Sequence, residues 1–548
     1  MLRFKHVWLV CEYGDEQFAV KTARSVENDT VALRISYENG RFSASLHAKT
    51  DAEITVRMLR AEFQYQFRES DRIFLNGYQS WTDSTEHAPD GVMAGLGHIP
   101  RPLIERYAFR QYGDYRFTKY SCKRGELHGW SYGYIRNGLH FDFAGSLNED
   151  AGFTCLRTNT GAETVHAEKD CEGLRFTGDY SGLQLQLLSG TEDAVFDGYF
   201  AALGVQPSPA AKPLTGYTSW YRHYQNISRD VILHDLEGIR TAEMQPDVFQ
   251  IDDGWQTAVG DWCSVDPVKF PGGMREIADA VRSQGMTPGL WLAPFVCEEK
   301  SEIYLNHKNW LVLDDRGRFV RGGSNWSGFY ALNLYNAEVR AYLKTVFDTV
   351  VREWGYGLLK LDFLYAVCIQ PHSGKTRGQI MADAMSFLRE LAGEVQILGC
   401  GVPLASAFGK AEYCRIGCDV SLDWNDKPYM QLMHRERIST RNSILNSVFR
   451  RQLNGRAFLN DPDVYLLRSD NTALTERQKR CLSEVNALCG SVLFTSDDAG
   501  TYTPEQKRLL HHMLALRDAK LISAERTAKE LTLCFTLNGR QYKRVYPL

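Results

Sequence analysis

Between residues 214 and 518 the chain alternates eight short apolar runs with helical stretches of roughly 12 to 20 residues. The runs are "LTGYTSWY" (214–221), "DVFQIDDGW" (247–255), "MTPGLWLAPF" (286–295), "GLLKLDFLY" (357–365), "VQILGCG" (395–401), "EYCRIGCDV" (412–420), "RAFLNDPDV" (456–464) and "SVLFTSDD" (491–498). Amphipathic stretches such as "GGMREIADAVRSQG" and "NAEVRAYLKTVFDTVVREWG" separate most of them, the second ending at Gly355 as helices often end at glycine. Eight β/α units in about 300 residues are what a closed (β/α)8 barrel requires. A doubly wound open sheet is the competing arrangement. It normally carries a glycine-rich phosphate fingerprint after its first strand, and the sequence has none there.

The flanks read differently. Residues 1–205 alternate polar and apolar side chains in short runs such as "DTVALRISYENGRFSASLHA" and "EITVRMLRAEFQYQF", the signature of an N-terminal antiparallel β-sandwich. A Pro/Ala-rich linker, 206–213, joins it to the barrel at 214–518. Residues 519–548 hold "KELTLCFTLNGRQYKRVYPL", two strands about an Asn-Gly turn, predicted as a small C-terminal β unit. The expected fold class is therefore multidomain α/β, a central TIM barrel with a β-sandwich before it and a small β unit after it.

A net charge of −4 leaves no basic footprint for nucleic acid and no polybasic membrane patch. No run of 18 apolar residues occurs, and the first residues lack the apolar core and cleavage site of a secretion signal. Thirteen cysteines without CxxC pairing favour reduced thiols, hence a cytoplasmic location. The sequence carries no signal of oligomeric state.

In a TIM barrel the chemistry sits at the C-terminal ends of the strands. Here those ends are polar or aromatic: Trp220, Asp252 and Asp253, Trp291, Lys360 and Asp362, Cys400, Arg415 and Asp419, Asp461 and Asp463, Asp497 and Asp498. Such a rim suits a hydroxyl-rich ligand, with carboxylates accepting O–H bonds and tryptophan faces packing on C–H-rich sugar faces. Two carboxylates flanking a glycosidic bond can cleave it, and Asp362 and Asp419, on strands four and six, are the candidates. Lys360 shares a face with Asp362 and can lower its pKa, keeping it anionic. The same pair also reads as a structural ion pair of the barrel interior. The "IDD", "DPD" and "SDD" clusters would suit a divalent cation, but Lys360 and Arg415 would share its cup, so neither metal nor cofactor is expected.

At these strands the sequence resembles glycoside hydrolase family 36, the α-galactosidases, and is most similar to its compact bacterial branch. The matching stretches are "GYTSWYRHY", "FQIDDGWQTAVGDW", "PGLWLAPF", "LKLDFLYA", "ILGCGVPL", "CRIGCDVSLDW" and "FLNDPDVYLLR", with "FLNGYQSWTD" (74–83) nearer the N-terminus. The resemblance implies a metal-free retaining exo-α-galactosidase acting on galactoside oligosaccharides by double displacement. It makes Asp362 the nucleophile and Asp419 the acid/base. It gives Asp252 and Asp253 the grip on sugar hydroxyls, and places Trp291, Lys360, Cys400 and Arg415 along the sugar subsite. Trp220 closes the wall, and Trp81 completes the rim from the sandwich side. Many members carry a Cys-x-x-Gly-x-Gly-Arg loop after strand five where this chain reads "GCGVPLASAFG". That loop faces C2 of the sugar, so an α-N-acetylgalactosaminidase or a galactosyl-transferring enzyme of the same fold is the alternative. A non-catalytic sugar-binding barrel is the third reading.

Overall fold

The computed structural model describes residues 1–51, 53–242, 244–428 and 430–548. The chain divides into two compact units, one of residues 1–78, 84–205 and 367–386, the other of 79–83, 206–366 and 387–548.

The first unit is built on two antiparallel sheets. One runs in the order Glu16–Thr22, Arg3–Tyr13, Ile54–Gln64, Thr164–Lys169, Thr154–Asn159, Glu126–Trp130, with Arg175–Phe176 on the edge of Ile54–Gln64. The other has eight strands, with Arg41–Ala48, Asp179–Gly190, His140–Ser146 and Tyr132–Asn137 at its centre. Strand Ile54–Gln64 shows why they pack face to face: its side chains alternate buried and less buried along most of its length, as a period of two dictates. Leu9, Leu33, Phe42, Leu59, Phe63, Leu183 and Leu185 meet in one apolar core. Each such side chain contributes about 1.5–3 kcal/mol on burial.

The second unit holds the barrel. Its strands are β1 (Leu214–Thr218), β2 (Val248–Ile251), β3 (Thr287–Leu292), β4 (Leu358–Leu361), β5 (Gln396–Gly399), β6 (Tyr413–Arg415), β7 (Leu459–Asp461 and Val464–Tyr465) and β8 (Val492–Thr495). All neighbours are parallel, and β8 pairs with β1. β7 closes the ring in two pieces. Leu459–Asp461 pairs with β6, Pro462 offers no N–H, Asp463 takes φ +77°, and Val464–Tyr465 then pairs with β8.

Most strands are shorter than their apolar runs predict. β1 ends at Thr218 because Trp220 already opens the short helix Trp220–His223. β6 keeps only three residues of "EYCRIGCDV". Helices follow seven of the strands: Arg229–Thr241, Gly273–Ser283, Ala337–Phe347, Arg377–Ala392, Thr440–Phe449, Glu476–Cys489 and Pro504–Ala515. β5 is followed only by the 3-10 turn Leu404–Ala407. Between β3 and its helix lies an excursion with a small antiparallel sheet of its own, Val296–Glu298, Phe329–Ala331 and Arg321–Gly323.

The C-terminal sheet has three strands rather than two: Lys520–Arg526, Glu530–Leu537 and Arg540–Pro547. The last two join through Asn538 and Gly539, both at positive φ, the hairpin turn that Asn-Gly favours. Leu531, Leu533 and Phe535 are buried, and Tyr546 donates to Glu484 on helix Glu476–Cys489. Among the described residues no helix is long and apolar enough to cross a membrane.

Candidate active site

Register brings the polar strand ends together. Trp291 on β3 is the direct partner of Lys360 on β4, so their side chains leave the sheet on one face. Asp362 follows immediately after β4, its own N–H donated to Leu292 O at 2.8 Å. Its carboxylate is held at both oxygens. Trp291 Nε1 donates to Oδ2 at 3.0 Å, and the Phe363 amide donates to Oδ1 at 2.8 Å. Phe363 reaches that position with φ +53°, a left-handed conformation that non-glycine residues adopt at a cost of order 1–3 kcal/mol and mostly at functional sites.

Lys360 does not pair with Asp362. Its Nζ lies 2.8 Å from Asp252 Oδ2, both groups being nearly inaccessible. Gln250 Nε2 also donates to that oxygen at 2.9 Å, and the Asp253 amide donates to Oδ1 at 2.9 Å. Burial pushes the Asp252 carboxyl up, but the Lys360 ammonium and these N–H groups outweigh it and hold the group below its usual range. The balance at Asp362 falls the other way. Burial raises it, and the opposing Lys360 charge and Trp291 N–H do not fully compensate. Lys360 does pull the Asp362 carboxyl down, as expected, yet its ion pair is with Asp252 and desolvation prevails.

Asp253 accepts from Gln225 Nε2 at 2.7 Å, Gln256 Nε2 at 2.6 Å and Trp326 Nε1 at 2.9 Å. It carries no cation, and burial leaves its carboxyl above the ordinary range. Arg415, fully enclosed at the end of β6, is shared by three carboxylates. Nη1 lies 2.9 Å from Asp419 Oδ1, Nε 3.2 Å from Asp461 Oδ2 and Nη2 2.8 Å from Asp463 Oδ1. Asp419 is the accessible member, its side chain 35% exposed, while Asp461 and Asp463 are buried.

Trp81 Nε1 lies 3.2 Å from Cys400 Sγ, and its ring meets Phe363 edge-on at 5.0 Å. Segment 79–83 stands with the barrel unit because Arg450 donates to Ser80 O at 2.7 Å and Gln79 O at 3.2 Å. Gly401 makes room for it. A Cβ there would come within 3.0 Å of the Trp81 ring and of the Phe363 amide, and φ is +56°. Trp220 is half-buried and packs edge-on against Tyr224 at 5.1 Å. Asp497 and Asp498, read as rim carboxylates from the sequence, have structural work instead. Asp497 accepts from Leu467 N, Arg468 N and Tyr502 OH, and Asp498 accepts from the Gly500 amide.

A melibiase family model matches residues 214–388. The structure of an α-galactosidase from Thermus thermophilus, in complex with p-nitrophenyl α-D-galactopyranoside, superposes with a TM-score of 0.72 at 26% identity, covering 95% of this chain and 98% of that one. Residues 214–388 thus form a melibiase domain. Among similar proteins, an A type blood α-D-galactosamine galactosaminidase from Flavonifractor plautii is 30% identical over 208 residues. An Escherichia coli α-galactosidase is 26% identical over 208 residues. The aligned stretches span only 35% and 36% of this chain, and 19% and 28% of those proteins' own lengths.

Several residues at this site carry no signal in the sequence. Trp326 comes from the excursion after β3, where no apolar period points to it. Its ring stands 6.0 Å from Trp291 and 4.8 Å from Phe363, so Trp291, Trp326, Phe363 and Trp81 form a continuous aromatic wall past Asp362. Trp326 and Ser327 both have positive φ, a local strain invisible in residue type alone. Tyr221 follows Trp220 and donates its hydroxyl to Asp463.

Proposed function

We propose that this chain is a retaining exo-α-galactosidase that removes terminal α-linked galactose from short oligosaccharides. The observation that carries the reading is the contrast between two carboxylates at the ends of β4 and β6. Asp362 is buried, fixed at both oxygens by N–H donors and free of a direct cation. Asp419 is a third exposed and held only at Oδ1, its Oδ2 taking no hydrogen bond among the described residues. A nucleophile needs the first environment and a proton carrier the second.

In the first step an Asp362 oxygen bonds to the anomeric carbon while the C1–O bond to the leaving group breaks. Asp419 gives its proton to the departing oxygen. In the second step water attacks C1, Asp419 takes the water proton, and the Asp362 ester bond breaks to release galactose with its original anomeric configuration. Asp252, kept anionic by Lys360, and Asp253 accept sugar hydroxyls. Arg415 and Cys400 line the same subsite, and the wall of Trp81, Trp291 and Trp326, with Trp220 at its rim, covers the C–H face. All thirteen cysteines carry free thiols, which suits work in a reducing cytoplasm.

Turnover of p-nitrophenyl α-D-galactoside, with the first-formed galactose followed by proton NMR, tests this reading. Release of the α anomer is expected. Release of the β anomer would refute retention, and selective cleavage of the 2-acetamido sugar would move the assignment to a galactosaminidase.

A further inference from the structure

Asp463 makes more contacts to the acid/base arm than any role so far assigned to it requires. It occupies the break in β7, at φ +77° and 2% exposed. One carboxylate oxygen, Oδ2, accepts the Val420 amide at 2.7 Å and the Tyr221 hydroxyl. The other, Oδ1, lies 2.8 Å from Arg415 Nη2. Val420 directly follows Asp419 in the chain, and Arg415 Nη1 holds Asp419 Oδ1. Asp463 therefore grips Asp419 twice, through its peptide neighbour and through its guanidinium partner.

We propose that Asp463 is the positioning residue of the proton donor, fixing the Asp419 carboxylate against the leaving-group oxygen and setting the charge around it. This rests on the assignment of Asp419 as acid/base made above. The geometry explains a left-handed aspartate after a proline: only a carboxylate there can serve the Val420 amide and the guanidinium at once. The electrostatics follow from the sharing of Arg415. Left to Asp419 alone, the guanidinium would place its whole positive charge beside the group that must donate a proton. Asp461 and Asp463 take the remaining edges of the cation, so its charge is divided among three carboxylates.

The groups that face Asp463 are Arg415, Asp419 and Asp461, the Tyr221 hydroxyl, and the Cys418 thiol, itself pushed up by burial. Burial brings the Asp463 carboxyl up to about 6, with Arg415 opposing and Asp419 and Asp461 adding to the rise.

Asp463→Asn keeps the shape and an acceptor for the Val420 amide but removes the charge. Arg415 then acts more fully on Asp419, and the alkaline limb of kcat/KM is expected to move to lower pH by about one unit. Substrates differ in their need for an acid. Melibiose, with a poor leaving group, should lose about 30-fold or more in kcat, and p-nitrophenyl α-galactoside, whose leaving group needs little protonation, less than about 5-fold. Equal losses on both substrates with an unmoved limb would overturn the proposal, as would no loss on either. If Asp463→Asn does not fold by thermal melting, Tyr221→Phe weakens the same carboxylate's anchoring, and the same split is expected at about 3-fold. Its absence there would equally refute the role. Wild-type protein inactive on both galactosides would instead sink the functional reading and leave the geometry of Asp463 unused.

Discussion

Lys360 on β4 and Asp252 after β2 form a buried ion pair at 2.8 Å, two strands apart in the barrel. That pairing separates two jobs that adjacency in sequence had merged. The lysine neutralises the carboxylate proposed to hold sugar hydroxyls, while the proposed nucleophile is served by neutral N–H donors.

Lys360→Met should therefore damage the fold as well as activity. It leaves Asp252 buried without its cation, and breaking a buried pair by removing one partner costs about 3–5 kcal/mol. The melting temperature should fall by several degrees. Lys360→Met/Asp252→Asn, which removes both charges, should regain much of the stability and none of the activity. Differential scanning calorimetry of the three proteins reads this directly.

Trp291 favours the charged form of Asp362 by hydrogen bonding it, against burial that pushes the group up. The nucleophile acts as carboxylate, so a raised pKa moves the acidic limb of kcat/KM to higher pH. In the wild type that limb should lie above the ordinary aspartate value of about 3.9. Trp291→Phe deletes the N–H and should move the limb further up by about half to one unit. A limb that stays in place or moves down would show that the indole contributes only packing.

Gly401→Ala places a methyl 3.0 Å from both the Trp81 ring and the Phe363 amide at a φ of +56°. Strain of about 1–2 kcal/mol is expected from the backbone alone. Displacing Trp81 and the amide that holds Asp362 should lower kcat/KM by about tenfold or more. Steady-state kinetics with a melting curve distinguishes displacement at the site from general unfolding.

Some of this was legible in sequence because it follows from local period. The eight apolar runs place Trp291, Asp252, Lys360, Asp362 and Arg415 at strand ends, and the barrel brings strand ends together. Partner choice was not legible. Whether Lys360 faces Asp362 or Asp252 depends on the stagger between β2 and β4, which no single strand encodes. Trp326 escaped because it lies in an excursion with no regular period and with two consecutive residues at positive φ. Asp497 misled for the opposite reason: an acidic residue at a strand end looks alike whether it faces a substrate or accepts the amides of Leu467 and Arg468. The third C-terminal strand, Lys520–Arg526, lacked a turn signal as clear as the Asn-Gly that announced its neighbours.

Chemical rescue of Asp362→Ala tests the central assignment most directly. Hydrolysis of p-nitrophenyl α-D-galactoside should fall by at least about 10⁴-fold. Added azide, entering the space the carboxylate vacates, should restore nitrophenol release and form β-galactosyl azide. Near wild-type hydrolysis by Asp362→Ala, or rescue that yields the α-azide, would contradict Asp362 as the nucleophile.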